Sequence, residues 1–155
     1  MTRCGTCVRR VTWPSGSALT GSPRAPEYSW ASWPVLQGRL DEARALLEEA
    51  LDLSLAARST PFVTQCLAGY AQLAFADGDP DRAARLEGAA EGLRRRVGLP
   101  AWPHLRRVEA ELVAQVRHTL GTARFDQAFS AGYALTQREA VAIVRDQRGT
   151  GTQTP

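Results

Sequence analysis

The residues best suited to chemistry in this 155-residue chain are few, and they are scattered. Cys4-x-x-Cys7 has the spacing of half a zinc site or of a dithiol redox pair. A structural zinc needs four ligands at tetrahedral corners, and a redox dithiol needs a βαβ setting. The remaining candidates, Cys66, His104 and His118, stand singly, without paired spacing. His104 and His118 are 14 residues apart on one expected helix, roughly 21 Å by helical rise, too far to share a ligand. No metal site and no cofactor site is therefore expected. All 19 basic residues are arginine. Without lysine there is no phosphate-loop lysine, no Schiff base and no lysine general base. No dinucleotide fingerprint, zinc-protease motif or serine elbow occurs, and paired acids such as Glu48-Glu49 fall on exposed helix faces. The expected set of catalytic residues is empty, and a non-enzyme is expected.

Two arginine clusters, Arg94-Arg95-Arg96 and Arg106-Arg107, lie either side of a short linker and invite a phosphate-binding reading. Glu91, Glu109 and Glu111 are interleaved with them, which points instead to solvated helix faces with ion pairs one turn apart. The formal charge of +3 has the same lesson. Residues 1–33 hold Arg3, Arg9, Arg10 and Arg24 against Glu27, whereas the rest balances 15 arginines against 15 acids. No direct nucleic-acid partner is expected. No apolar run approaches the length that spans a bilayer, and no signal peptide is visible, so a cytoplasmic protein with reduced thiols and no membrane partner is expected. The absence of lysine and asparagine, with Ile143 and Met1 alone of their kinds, marks a GC-rich, bacterial coding source.

The elements that must position these residues are helices. Residues 1–33 carry Trp13, Trp30, Trp33 and many Ser, Thr, Gly and Pro, with no periodicity, and read as an irregular or disordered leader. Beyond it, apolar stripes predict helices near 40–57, 61–76, 80–97, 103–120, 123–133 and 137–146. Thr60-Pro61 and Asp79-Pro80 are start signals, Gly78, Gly98 and Gly121 are stop signals, and Thr136 with Glu139 has capping-box spacing. No strand pattern occurs, so the fold class is all-α. The expected divisions are a leader at 1–33, helical repeats at 34–99, capping helices at 100–147 and a flexible tail at 148–155.

The segments GRLDEARALLEEA and GDPDRAARLEGAA repeat at a shift of 40 residues, with Gly38, Ala43 and Ala50 matching Gly78, Ala83 and Ala90. Glycine permits the tight inter-helix turn, and the alanines let paired helices approach. With Leu67, Tyr70, Ala71 and Ala74, these positions resemble the tetratricopeptide repeat, in the MalT-like long-helix variety of bacterial signalling regulators. Glu87 departs from that pattern, since an apolar residue is usual there. The helix that should precede 40–57 is broken by Pro26 and Pro34, which suggests that the recognisable part is the end of a longer array and that the first 33 residues are foreign to it.

The run ADGDPDRAARLEGAAEGLRRRVGLP and, later, LGTARFDQAFSAGYALTQREAVAIV with Phe125, Phe129, Gly132, Ala134, Leu135 and Glu139-Ala140-Val141 make residues 76–145 further similar to the C-terminal region of LuxR- and AfsR-type transcriptional regulators that carry a nucleotide-binding ATPase. The resemblance implies a short solenoid of antiparallel helix hairpins, a non-catalytic protein-interaction module and a fragment of such a regulator. It implies a peptide or protein partner, an ATPase or a DNA-binding regulator among the possibilities. On the concave side lined by the first helix of each hairpin, the candidate partner-binding residues are Gln65, Ala68, Gln72 and Phe75. The alternatives are an inactive gene remnant and a free-standing scaffold unconnected with transcription.

Overall fold

The computed structural model describes residues 38–101, 103 and 105–146. Among these there are six helices and no strand: α1 (Leu40–Ala56), α2 (Thr60–Ala76), α3 (Pro80–Arg96), α4 (Arg106–Leu120), α5 (Thr122–Tyr133) and α6 (Gln137–Arg145). The expected leader at 1–33, the tail at 148–155, and the candidates Cys4, Cys7 and His104 lie outside the described residues. No described helix is long and apolar enough to cross a membrane.

Short turns force α1, α2 and α3 to alternate in direction. Arg44 near the start of α1 pairs with Asp77 just past the end of α2 at 2.9 Å, and Ser54 near the end of α1 meets Cys66 in the early part of α2. α2 is the central element. It contains no charged residue and is buried from Val63 through Ala74, as expected of a helix covered on nearly all sides. α5 runs in the same sense as α3: Arg124 pairs with Asp81 at their starts, and Arg96 donates to the Tyr133 and Leu135 carbonyls at their ends. α6 lies back across α2 and α3. Thr60 bonds Gln137 at 3.3 Å, Arg82 donates to the Ile143 carbonyl at 2.6 Å, and Arg145 pairs with Asp52 of α1 at 3.1 Å.

The closest approach is between α3 and α5, and three glycines make it possible. A Cβ at Gly88 would stand 2.1 Å from the Phe129 carbonyl oxygen, one at Gly92 would stand 2.2 Å from that of Tyr133, and one at Gly132 would stand 1.9 Å from that of Arg85. These are backbone atoms, so no side-chain rotation relieves the clash. The helices can touch main chain to main chain only because all three Cβ atoms are missing.

Helix ends follow the local signals with two corrections. Asp79 caps α3 by accepting the Arg82 N–H at 3.0 Å, and Thr136 with Glu139 forms the reciprocal capping box of α6. The cap of α2 is Ser59, not Thr60, whose hydroxyl is turned to Gln137 instead. α4 begins at Arg106, three residues after the expected Pro103: its first backbone bond runs from the Glu109 N–H to the Leu105 carbonyl at 2.9 Å, which leaves Pro103 in the preceding turn.

The 40-residue shift is visible in the helices. Gly38 and Gly78 both have positive φ (71° and 83°), Ala43 and Ala83 are fully buried, and each pair precedes or opens a 17-residue helix. α1, α2 and α3 end in the same six-residue closure, Ser59 N–H to Ser54 carbonyl, Asp79 to Ala74 and Leu99 to Arg94, each 2.9 Å. The left-handed position of that closure is Gly78 in one and Gly98 in another, but Arg58, with φ 52°, in the first. A side chain in this region costs about 1 kcal/mol. Arg58→Gly is expected to raise the melting temperature by a few degrees, as read by circular dichroism, because it removes that cost and Arg58 is exposed.

Candidate functional site

The expected binding residues Gln65, Ala68, Gln72 and Phe75 follow one stripe of α2. The structure brings the first three together but does not leave them open. They are 8%, 3% and 8% exposed and lie under Leu105, Val108 and Glu109 at the start of α4, around a crevice of about 10 Å³. That is the lower limit of space for one water. Phe75 is half-buried against the core and does not line the crevice. The small residues Ala68 and Gly69 let α4 sit close, and Leu105 is itself 4% exposed. The chain's own fourth helix thus covers the face expected to be concave and free.

Beside this crevice lies a feature that sequence reasoning missed. Glu109 and Arg94, expected on solvated faces, are buried at 8% and 5% exposure and form an ion pair of 2.8 Å between α3 and α4. Arg94 also approaches Glu91 at 3.5 Å. Glu87, one turn from Glu91 on α3, is 3% exposed. Its Oε1 and the Arg94 Nε are buried without a hydrogen-bond partner among the described residues. Burial, then the like charges of Glu109 and Glu91, hold the Glu87 carboxyl well above the ordinary carboxylate range, against the pull of Arg94. Burial opposes the charge on Arg94, but its hydrogen bond to Glu109 and the surrounding carboxylates outweigh it and strengthen its hold on the proton. The signal available in the sequence was the repeat itself: Glu87 occupies the position that Leu47, fully buried, holds 40 residues earlier.

Folding therefore binds a proton at Glu87. Because its folded pKa is raised, the stabilisation linked to that proton is complete below the ordinary carboxylate pKa. It is lost as pH rises toward the folded value. Glu87→Gln, a neutral isostere, is expected to stabilise the chain by about 1–2 kcal/mol at pH 8. The gain should shrink toward zero near pH 4, with urea midpoints across that range as the measurement. Equal gain at both ends of the range would contradict a raised Glu87.

The remaining chemical candidates are kept apart. Cys66 is 2% exposed between α1 and α2, and burial pushes its thiol up to about 11, so it is not a thiolate at neutral pH. His118 is exposed in the last turn of α4, beside Arg117 and Gly121, and does not meet Cys66. Among the described residues no group of His, Cys, Asp and Glu has the arrangement to hold a metal ion.

The arginine clusters also fail to converge into one patch. Arg94 points inward, Arg95 pairs with Glu91 at 2.9 Å, and Arg107 pairs with Glu111 at 2.9 Å, the last two being the one-turn pairs expected from the sequence. Arg96 is turned to the α5 end carbonyls and Arg106 to the Ala101 carbonyl. Larger, shallow surface grooves lie elsewhere on the described residues. One of about 610 Å³ lies between Leu55 and α6, one of about 620 Å³ runs along Val113 and His118, and one of about 500 Å³ lies at Leu99 and Arg106. No family model matches this chain, and no match is found among curated proteins or among solved structures.

Proposed function

We propose that this chain is a non-catalytic protein-interaction module built of antiparallel helix hairpins, tetratricopeptide-like in its repeat and resembling the C-terminal sensor part of a bacterial transcriptional regulator. The observation that carries the reading is the 40-residue period. Gly38/Gly78 and Ala43/Ala83 take the same conformation or burial in successive units, and Arg58/Gly98 close the corresponding helices α1 and α3 in the same way. Arrays of such hairpins bind other proteins through their surfaces. The Cys66 thiol is buried and held protonated, which favours binding over catalysis.

The partner in this reading is a regulator bearing an ATPase or DNA-binding domain. Co-expression with such a regulator encoded beside it, followed by size-exclusion chromatography, tests the reading. Co-elution at fixed stoichiometry, with altered ATP hydrolysis or operator binding by the regulator, is expected. Separate elution with unchanged regulator activity would contradict it.

A further inference from the structure

Among the described residues the exposed large apolar side chains gather in one region. Leu53 (64% exposed), Phe62 (48%), Val97 (49%), Leu99 (38%) and Tyr133 (40%) belong to the end of α1, the start of α2, the end of α3 with its following turn, and the end of α5. Alternating helix directions place all of these at one end of the bundle, the end that also holds the starts of α4 and α6. Two of the larger grooves described above open there, at Leu55 with Val141 and at Leu99 with Arg106.

Among the described residues, three arginines at this end lack a countercharge, although Arg95, Arg107 and Asp52 are paired with Glu91, Glu111 and Arg145. Arg58 and Arg138 are exposed and have no ion-pair partner among the described residues, and Arg106 reaches only a carbonyl. At the opposite end Arg39, Arg44, Arg117 and Arg124 are neutralised in place by Glu42, Asp77, Asp126 and Asp81, while Arg82 donates to the Ile143 carbonyl. The strained residue of the fold, Arg58, is also here, at a position where the two sister turns carry glycine. A side chain retained against local strain, cationic and beside exposed leucine and phenylalanine, is a mark of a contact surface.

We infer that this end is a docking surface for an acidic amphipathic protein segment, one that presents leucine- or phenylalanine-type anchors between carboxylates. The inference rests on the interaction-module reading and adds the surface and the partner's chemistry. Aliphatic anchors favour a protein over a nucleic acid. Leu53, Val97 and Leu99 offer aliphatic area to bury beside the rings of Phe62 and Tyr133, and the guanidiniums of Arg58, Arg106 and Arg138 are set between apolar residues instead of along a continuous basic track. Carboxylates placed against Arg58, Arg106 and Arg138 supply the missing countercharge and steer encounter.

The test uses the full chain and a fluorescein-labelled synthetic helical peptide with leucine on one face and glutamate on the other, read by anisotropy at moderate salt. The glutamate peptide is expected to bind. The double variant Arg58→Glu/Arg138→Glu should weaken it by about tenfold or more. Leu53→Ser/Phe62→Ser should weaken it similarly, whereas Arg124→Glu at the opposite end should not. Circular dichroism melts confirm that each variant folds. Equal binding of a lysine-for-glutamate peptide would overturn the inference, as would indifference to the double charge reversal. So would capture of a DNA duplex or phosphatidylglycerol vesicles in place of the peptide. If binding is instead lost on Phe75→Ser with the end variants silent, this surface fails while the interaction-module reading stands. Failure to bind both the peptide and the neighbouring regulator takes the module reading down with it.

Discussion

Gly132→Ala is expected to be the most damaging single-methyl change in the molecule. The added carbon would stand 1.9 Å from the Arg85 carbonyl oxygen and 2.7 Å from its carbonyl carbon. Neither atom can move without bending α3, so α5 must lift off, and the contacts that Phe125 (2% exposed) and Ala128 make with the core loosen with it. Overpacking of this kind costs on the order of 3 kcal/mol. In a body of this size that corresponds to roughly 10–20 °C in melting temperature. Gly88→Ala should behave alike, and the double variant should cost less than the sum, because both open one interface. Gly98→Ala is the control: its Cβ would enter open space, and only the positive φ of 68° is penalised. Equal melting of Gly132→Ala and the parent would show that α3 and α5 are not in backbone contact.

The second large effect concerns the buried charges. Arg94→Leu removes the cation and leaves Glu87 and Glu109 as buried carboxyls facing one another across α3 and α4. Stranding a buried charge in this way costs about 3–5 kcal/mol. The loss should be greatest at neutral and alkaline pH. It should diminish on acidification, since protonation of Glu87 removes the repulsion, and urea denaturation at two pH values would show this. Arg94→Leu/Glu109→Leu is expected to recover most of the loss, because the pair is then replaced by apolar volume. A single variant as stable as the parent at pH 8 would mean that Arg94 and Glu109 are not desolvated.

The helices were legible because their signals are local. Asp79, Thr136 with Glu139, and the glycines at 78, 98 and 121 act within one turn of themselves, and each does in the structure what its neighbours in sequence imply. Thr60 misled because its hydroxyl has a second use, a bond to Gln137 that lies 77 residues away. The features of the candidate site are all of this distant kind. Gly88 and Gly92 on a helix read locally as mere weak points. Their spacing of four placed them on one face, and only the fold shows that α5 needs that face bare. Glu109 has the same sequence neighbours whether its carboxylate meets solvent or Arg94, fifteen residues away across a turn.

The open concave face was the reading most at odds with information already in the chain. Residues 60–76 contain no charge, and a helix without charge has no side that prefers water. Gln65 and Gln72, expected as candidates for binding a partner, are buried polar groups beside the start of α4. Exposed apolar residues, by contrast, gave no signal of their own. Leu53 and Phe62 are ordinary helix residues until the alternation of α1, α2 and α3 puts them at the same end as Val97, Leu99 and Tyr133.

The most direct measurement is an amide-resonance map of the isotope-labelled full chain titrated with the ATPase domain of a regulator of the proposed kind. Perturbations confined to residues 53–62, 95–106 and 133–138 are expected, growing with saturation and weakening as salt rises. Perturbations centred on residues 113–122 at the opposite end, or no change at saturating partner, would contradict a protein-interaction module that docks through its arginine- and leucine-bearing end.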